Sequence, residues 1–154
     1  MGPVRGVVLA VAAGIAMASF AAAWLVFPIH VTSNSMAPWV SAGDYGVAVY
    51  TRDVERGDVI AFRFPFGSPT LAIKRAVSLP GDCMPPHGAG AGVGQLSPAA
   101  PAGAGCDVVP PDSVFILGDN INGSVDSRHF GVVPASEIVG KVVLVVPVTR
   151  WRFR

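Results

Sequence analysis

The chain has 154 residues, 51% of them hydrophobic and only 14% charged, and a formal net charge of +1. That length suits one compact domain, or two small ones at most, and the composition excludes a disordered chain and is more apolar than an ordinary soluble domain. With no basic excess to displace counterions from phosphates, a nucleic-acid partner is not expected.

The apolar excess is concentrated at the start. Gly6 to Ile29 carries no charge, and a membrane-spanning helix needs about 20 such residues. Ala21, Ala22 and Ala23 could pose as the cleavage site of a secretory signal. The apolar run nevertheless continues through Trp24, Leu25, Val26, Phe27 and Ile29, and its length favours an uncleaved anchor. The expected organisation is therefore a cytoplasmic N-terminus at 1–5 marked by Arg5, a transmembrane anchor at 6–29, and an extracytoplasmic domain at 30–154. Trp24 and Phe27 would sit at the far interface of the bilayer.

Beyond the anchor the chain reads as short strands at Tyr45–Thr51, Asp58–Phe64, Thr70–Ser78, Val114–Leu117 and Lys141–Val148, punctuated by Gly and Pro. The 18 Gly and 14 Pro suit many turns, and the pattern predicts a mostly β, antiparallel, barrel-like or sandwich domain. Met84 to Pro111 has no hydrophobic period. Overlapping it is a Gly/Ala/Pro-rich insertion at 83–106, bracketed by Cys83 and Cys106, the only two cysteines. An even pair clamping such a segment reads as a disulfide, which persists outside the cytoplasm; two unrelated buried thiols are the alternative. No C-x-x-C or histidine spacing suggests a metal, and His87 reads as a solvated loop residue. The tail Arg150-Trp151-Arg152-Phe153-Arg154 alternates basic and aromatic side chains. It suits anionic lipid headgroups, or equally a frayed strand end.

Only two lysines occur, Lys74 and Lys141. Lys74 lies inside the apolar run Leu71-Ala72-Ile73-Lys74. If it faces the core, its pKa falls and it becomes a candidate general base; if it faces outward, it is a solvated edge charge. Lys141 reads as a surface residue. Ser35 in Ser33-Asn34-Ser35-Met36-Ala37-Pro38 is a nucleophile candidate, with a turn or helix cap as the alternative. A Ser-His-Asp site would need His30, His87 or His129, and no G-x-S-x-G elbow presents a serine. Asp119 to Gly123 lacks the oxygen ligand of a calcium loop at Ile121. Asn122-Gly123-Ser124 reads as a turn rather than a glycosylation site.

Four blocks in order carry a resemblance: Ser33-Asn34-Ser35-Met36-Ala37-Pro38, Arg56 to Phe62, Ile73 to Asp82, and Leu117-Gly118-Asp119-Asn120 followed by Ser124-Val125-Asp126-Ser127-Arg128 and Gly131. Together they resemble the type I signal peptidases, membrane-bound Ser/Lys peptidases that remove signal peptides from exported proteins. The resemblance implies Ser35 as nucleophile and Lys74 as general base. It implies Ser33 as the side-chain donor of the oxyanion hole beside the Ser35 N–H, Ser124 as the serine that orients the lysine, and Asp126 with Arg128 as a supporting ion pair. Val31, Met36, Val40, Ala72 and Ile73 fall where the family lines small apolar substrate pockets suited to Ala. Also implied are no cofactor and no metal, signal peptides of the A-x-A type and the lipid bilayer as partners, and a place on the outer face of a bacterial cytoplasmic membrane. The sequence departs from the family at Ile121, where a basic residue is common, and at Ser78, where Gly is common. The shortened region between Cys83 and Cys106 suggests a small, single-anchor member. Two other roles stay open here: a dedicated relative processing one precursor (a conjugative pilin-type or mitochondrial inner-membrane peptidase), or a non-catalytic scaffold that binds signal peptides. Met36, Trp39 and Phe62 to Phe66 suit the lipid interface or ordinary core packing equally.

Overall fold

The computed structural model describes residues 6–9, 11–14, 17, 25–85 and 106–148. Seven strands form β1 (Val26–His30), β2 (Tyr45–Tyr50), β3 (Val59–Arg63), β4 (Leu71–Ser78), β5 (Ser113–Leu117), β6 (Val133–Pro134) and β7 (Ile138–Val146). A one-turn helix, α1 (Ser127–Phe130), and 3-10 turns at Ile121–Gly123 and Ala135–Glu137 complete the elements. The strands make a single sheet in the order β1-β2-β7-β3-β4-β5-β6. Each pairing within it is antiparallel. Mostly β and antiparallel is therefore the observed class. The architecture is one open sheet, bent by register shifts at Val47/Ala48, Ala61/Phe62 and Ala76/Ser78, since a bulge adds local twist.

The five strands expected from the sequence are present with shifted ends, the largest shift being β7, which starts at Ile138 rather than Lys141. Gly57 at φ +93° and Gly81 at φ +85° make the turns before β3 and after β4. Left-handed backbone there admits glycine without strain.

Two strands were not foreseen. β6 is two residues long. β1 lies in the apolar run assigned to the anchor, so an anchor reaching Ile29 is corrected: Val26–His30 pairs with β2 in register Val26↔Val49 to His30↔Tyr45. Pro28 is tolerated because β1 is an edge strand. Phe27, expected at the bilayer interface, stacks on Tyr50 with ring centroids 4.5 Å apart. Residues 6–9, 11–14 and 17 are helical. Among the described residues, no helix is long and apolar enough to cross a membrane. Residues 1–5, Trp24, His87 and the tail at 149–154 lie outside the described residues.

β5 explains how the core is assembled. All five of its residues are buried, and alternation sends them to two sides. Val114 and Ile116 join Ile60, Phe62, Ala76, Val133 and Ile138, whereas Phe115 and Leu117 join Val77 and Val109. A third cluster, Val31, Met36, Val40 and Val59, lies beneath the segment that carries Ser35.

The insertion leaves the domain on a paired stub. Cys83 and Cys106 are disulfide-bonded with Cα atoms 5.7 Å apart. Met84 N–H donates to Asp107 O at 2.7 Å, and Val109 N–H to Asp82 O at 2.8 Å.

Candidate active site

β4 delivers Lys74. Its register partner on β3 is Ile60, which is fully buried, and Lys74 itself is only 5% exposed. The lysine therefore faces inward. Its Nζ lies 2.7 Å from Ser35 Oγ and 3.1 Å from the carbonyl oxygen of Ile73. Burial holds the amine below its ordinary pKa of 10.5, opposed by the negative charges of Asp126 and Asp119. Desolvation disfavours the charged form, so burial biases the amine beside the Ser35 alcohol toward its neutral form.

Ser35 sits in a turn that runs on from β1. Val31 N–H donates to Asp44 O at 2.9 Å, and Gly43 N–H to Val31 O at 2.7 Å. The Asn34 side-chain carbonyl accepts from Ala42 N–H at 2.9 Å. Asp44 Oδ2 accepts from Ser41 N–H at 2.9 Å. Met36 and Val40, both essentially inaccessible, fasten the underside of the turn to the core. Ser33 Oγ stands 3.2 Å from Ser35 Oγ, on the same side of the turn.

The third wall comes from the segment after β5. Asn120 N–H donates to Ser35 O at 3.0 Å, and Asn120 Nδ2 donates to Asn34 O at 3.0 Å. Asp126 is fully buried; burial would raise its pKa. The side-chain hydrogen bond from Arg128 and the Gly118 N–H outweigh that and hold it below the ordinary carboxylate range. Arg128 reaches it through Nε and Nη2, each at 2.8 Å, and also donates to Ile121 O at 3.0 Å. The Asp126–Arg128 pair thus ties the 3-10 turn to α1.

Ser124 is buried in this segment, but the expected hydrogen bond to Lys74 is not formed. Its Oγ lies within reach of Asp126 yet completes no hydrogen bond of good geometry. Gly118 packs directly against it: a Cβ there would lie 2.5 Å from Ser124 Cβ and 2.6 Å from Ser35 O.

A cleft of about 250 Å³ opens beside the two reactive groups, lined on one side by β1 and the residues after it through Ser33 and Ser35, and on the other by Leu71 to Lys74. Val31, Ala72 and Ile73 line it. Met36 and Val40 are corrected: they pack with Val31 and Val59 in the core and are not among the lining residues. The interface candidates divide. Met36 and Phe62 are core residues, while Trp39 is 39% and Phe66 43% exposed.

Sequence reasoning missed the supports of the turn. Arg75 grips Asp119 through two hydrogen bonds of 2.8 and 2.6 Å and stacks over the Trp39 ring at 5.3 Å. Asn34, Asn120 and Gly118 lie within the quoted blocks, yet their contacts cross the fold and leave no local signature.

The sequence profile described as "Signal peptidase, peptidase S26" matches residues 4–88 and 92–147. Over 126 residues the chain is 34% identical to a mitochondrial ATP-independent inner membrane protease subunit 1a of Arabidopsis thaliana, covering 79% of this chain and 70% of that protein. Over 133 residues it is 30% identical to signal peptidase I of Leptolyngbya laminosa, covering 75% of this chain and 66% of that one. The solved signal peptidase I of Enterococcus faecalis V583 overlays at 25% identity with a TM-score of 0.42, covering 59% of this chain and 97% of that one. With the profile matched along most of its length, this chain belongs to the signal peptidase, peptidase S26 family.

Proposed function

We propose that the chain is a membrane-bound serine endopeptidase that removes N-terminal signal peptides through Ser35 and Lys74. The observation that carries this reading is the 2.7 Å approach of a buried lysine amine to a serine hydroxyl at the end of a cleft. A serine hydroxyl is a weak nucleophile and needs an adjacent base. Neutral Lys74 takes the Ser35 proton as Oγ attacks the scissile carbonyl. The oxyanion is received by the Ser33 hydroxyl and the Ser35 N–H, each such donor typically worth about 3 kcal/mol. The Lys74 ammonium then protonates the leaving amine, and the mature protein departs from an acyl-enzyme. Lys74 next takes a proton from water, whose attack frees Ser35 and the signal peptide.

The substrate enters as an extended strand between the β1 end and β4. Its main chain supplies affinity, and alternate side chains enter the pocket walls at Val31, Ala72 and Ile73. Walls of that size suit Ala at the two key positions before the cut. The uncharged N-terminal segment, now ending before β1, supports a single-pass anchor that holds the site at the outer face of a bacterial cytoplasmic membrane.

The test is incubation of the full chain in detergent with a panel of secretory precursors, followed by sequencing of each new N-terminus. Cleavage after A-x-A in several precursors is expected. Cleavage of one precursor alone would point to a dedicated relative, and binding without cleavage would overturn the reading.

A further inference from the structure

We infer that Asn120 is a positioning residue: it aims the oxyanion-binding N–H of Ser35 by holding the carbonyl on the opposite side of the same peptide group. The inference rests on the reading of Ser35 as the nucleophile.

The peptide linking Asn34 and Ser35 is planar and trans, so its C=O and its N–H point in opposite directions. Whatever fixes Asn34 O fixes the direction of the Ser35 N–H. Asn34 O receives Asn120 Nδ2 at 3.0 Å and the Ala37 N–H at 3.1 Å. The next carbonyl, Ser35 O, receives the Asn120 N–H at 3.0 Å. One residue from a segment far along the chain therefore holds the carbonyls on both sides of the Ser35 Cα. A donor on the Asn34 carbonyl also polarises that peptide, which strengthens its N–H as a donor to a developing negative charge.

The main chain at Asn120 is held, and the space for its side-chain amide is kept clear. Gly123 N–H donates to Asn120 O at 3.2 Å, and a Cβ on Gly123 would lie 2.7 Å from Asn120 Nδ2. Glycine at 123 thus leaves the space in which the amide sits. Asn120 is not among the residues lining the cleft, so it acts through Ser35 rather than on the substrate.

The test compares the wild-type chain with Asn120→Ala and Asn120→Asp. Its readouts are kcat, KM, the pH profile, and binding of two peptides: an uncleavable substrate analogue and a peptide aldehyde ending in Ala. The aldehyde is attacked by Ser35 Oγ, whose proton passes to Lys74, and its oxygen becomes an oxyanion at the same donors. For Asn120→Ala, kcat is expected to fall about 10- to 100-fold, less than the 10²–10³ lost when a donor is deleted outright. KM and the pH midpoint stay unchanged, aldehyde affinity falls in step with kcat, and affinity for the uncleavable peptide holds. Asn120→Asp places a carboxylate oxygen against the Asn34 carbonyl and falls at least as far. Unchanged kcat, or equal losses of affinity for both peptides, would overturn the inference. Should Asn120→Ala not fold, Gly123→Ala carries the same test, because it displaces the amide and leaves its residue in place. A wild-type chain that neither cleaves a precursor nor binds the aldehyde would instead overturn the proposed function.

Discussion

Ser35→Ala and Lys74→Met are each expected to lower precursor cleavage by about 10⁴-fold or more, and neither to lower the thermal midpoint at neutral pH. Ser35→Ala removes the attacking oxygen. Lys74→Met keeps a side chain of similar length and removes the base. The two losses are not additive, because nucleophile and base act as a unit. Lys74→Arg is equally inactive, since a guanidinium stays protonated and accepts nothing; this separates basicity from mere positive charge. Stability moves the other way. The folded-state pKa of Lys74 lies below the ordinary 10.5 because burial penalises the ammonium. Its contribution to stability is present above 10.5 and is lost as pH falls through the folded-state value. Lys74→Met has no such dependence, so its thermal midpoint gains on the wild type as pH falls through that window. Activity and stability measured on the same samples check both halves.

Gly118→Ala is the second large effect. The added methyl meets the Ser124 side chain and, at 2.6 Å, the carbonyl oxygen of Ser35. Ser35 O is main chain, so the nucleophile turn and the segment after β5 must separate. A shift of about 1 Å in a reacting group can cost 10²-fold, and overpacking typically costs about 1–3 kcal/mol. Gly118→Ala is therefore expected to lose at least 10²-fold in kcat/KM together with a measurable fall in thermal midpoint. Gly118 does not adopt a left-handed φ, so the effect is steric. Retained activity with normal stability would show that the two segments tolerate separation.

Much of this site was legible because chemistry is scarce in the sequence. Two lysines and no serine elbow leave few ways to activate a serine, and the order of four blocks singled out Ser35 and Lys74. Alternation within β4 could not say which way Lys74 points; the answer came from its register opposite buried Ile60. β1 was hidden because Val26–His30 continues an uninterrupted apolar run, and a short apolar run does not distinguish helix from strand. Met36 and Val40 follow Ser35 closely in sequence, yet the turn geometry sends both beneath it into the core. Asn34 and Asn120 meet across 86 residues, a separation at which only the folded sheet brings them together. The cysteine pair was readable from its place at the two ends of a Gly/Ala/Pro segment, and the disulfide is formed.

The direct measurement is a pH titration of the two lysine side chains, labelled with ¹³C at Cε and followed by NMR in the Ser35→Ala chain. Lys141 serves as the internal contrast. Its Nζ lies 3.0 Å from Asp58 Oδ2, and that hydrogen bond holds its pKa above 10.5. The account predicts two resolved transitions, Lys74 below the ordinary lysine value and Lys141 above it, with cleavage by the wild type rising through the lower one. A Lys74 transition at or above that of Lys141 would leave the amine protonated at neutral pH and contradict its role as the base.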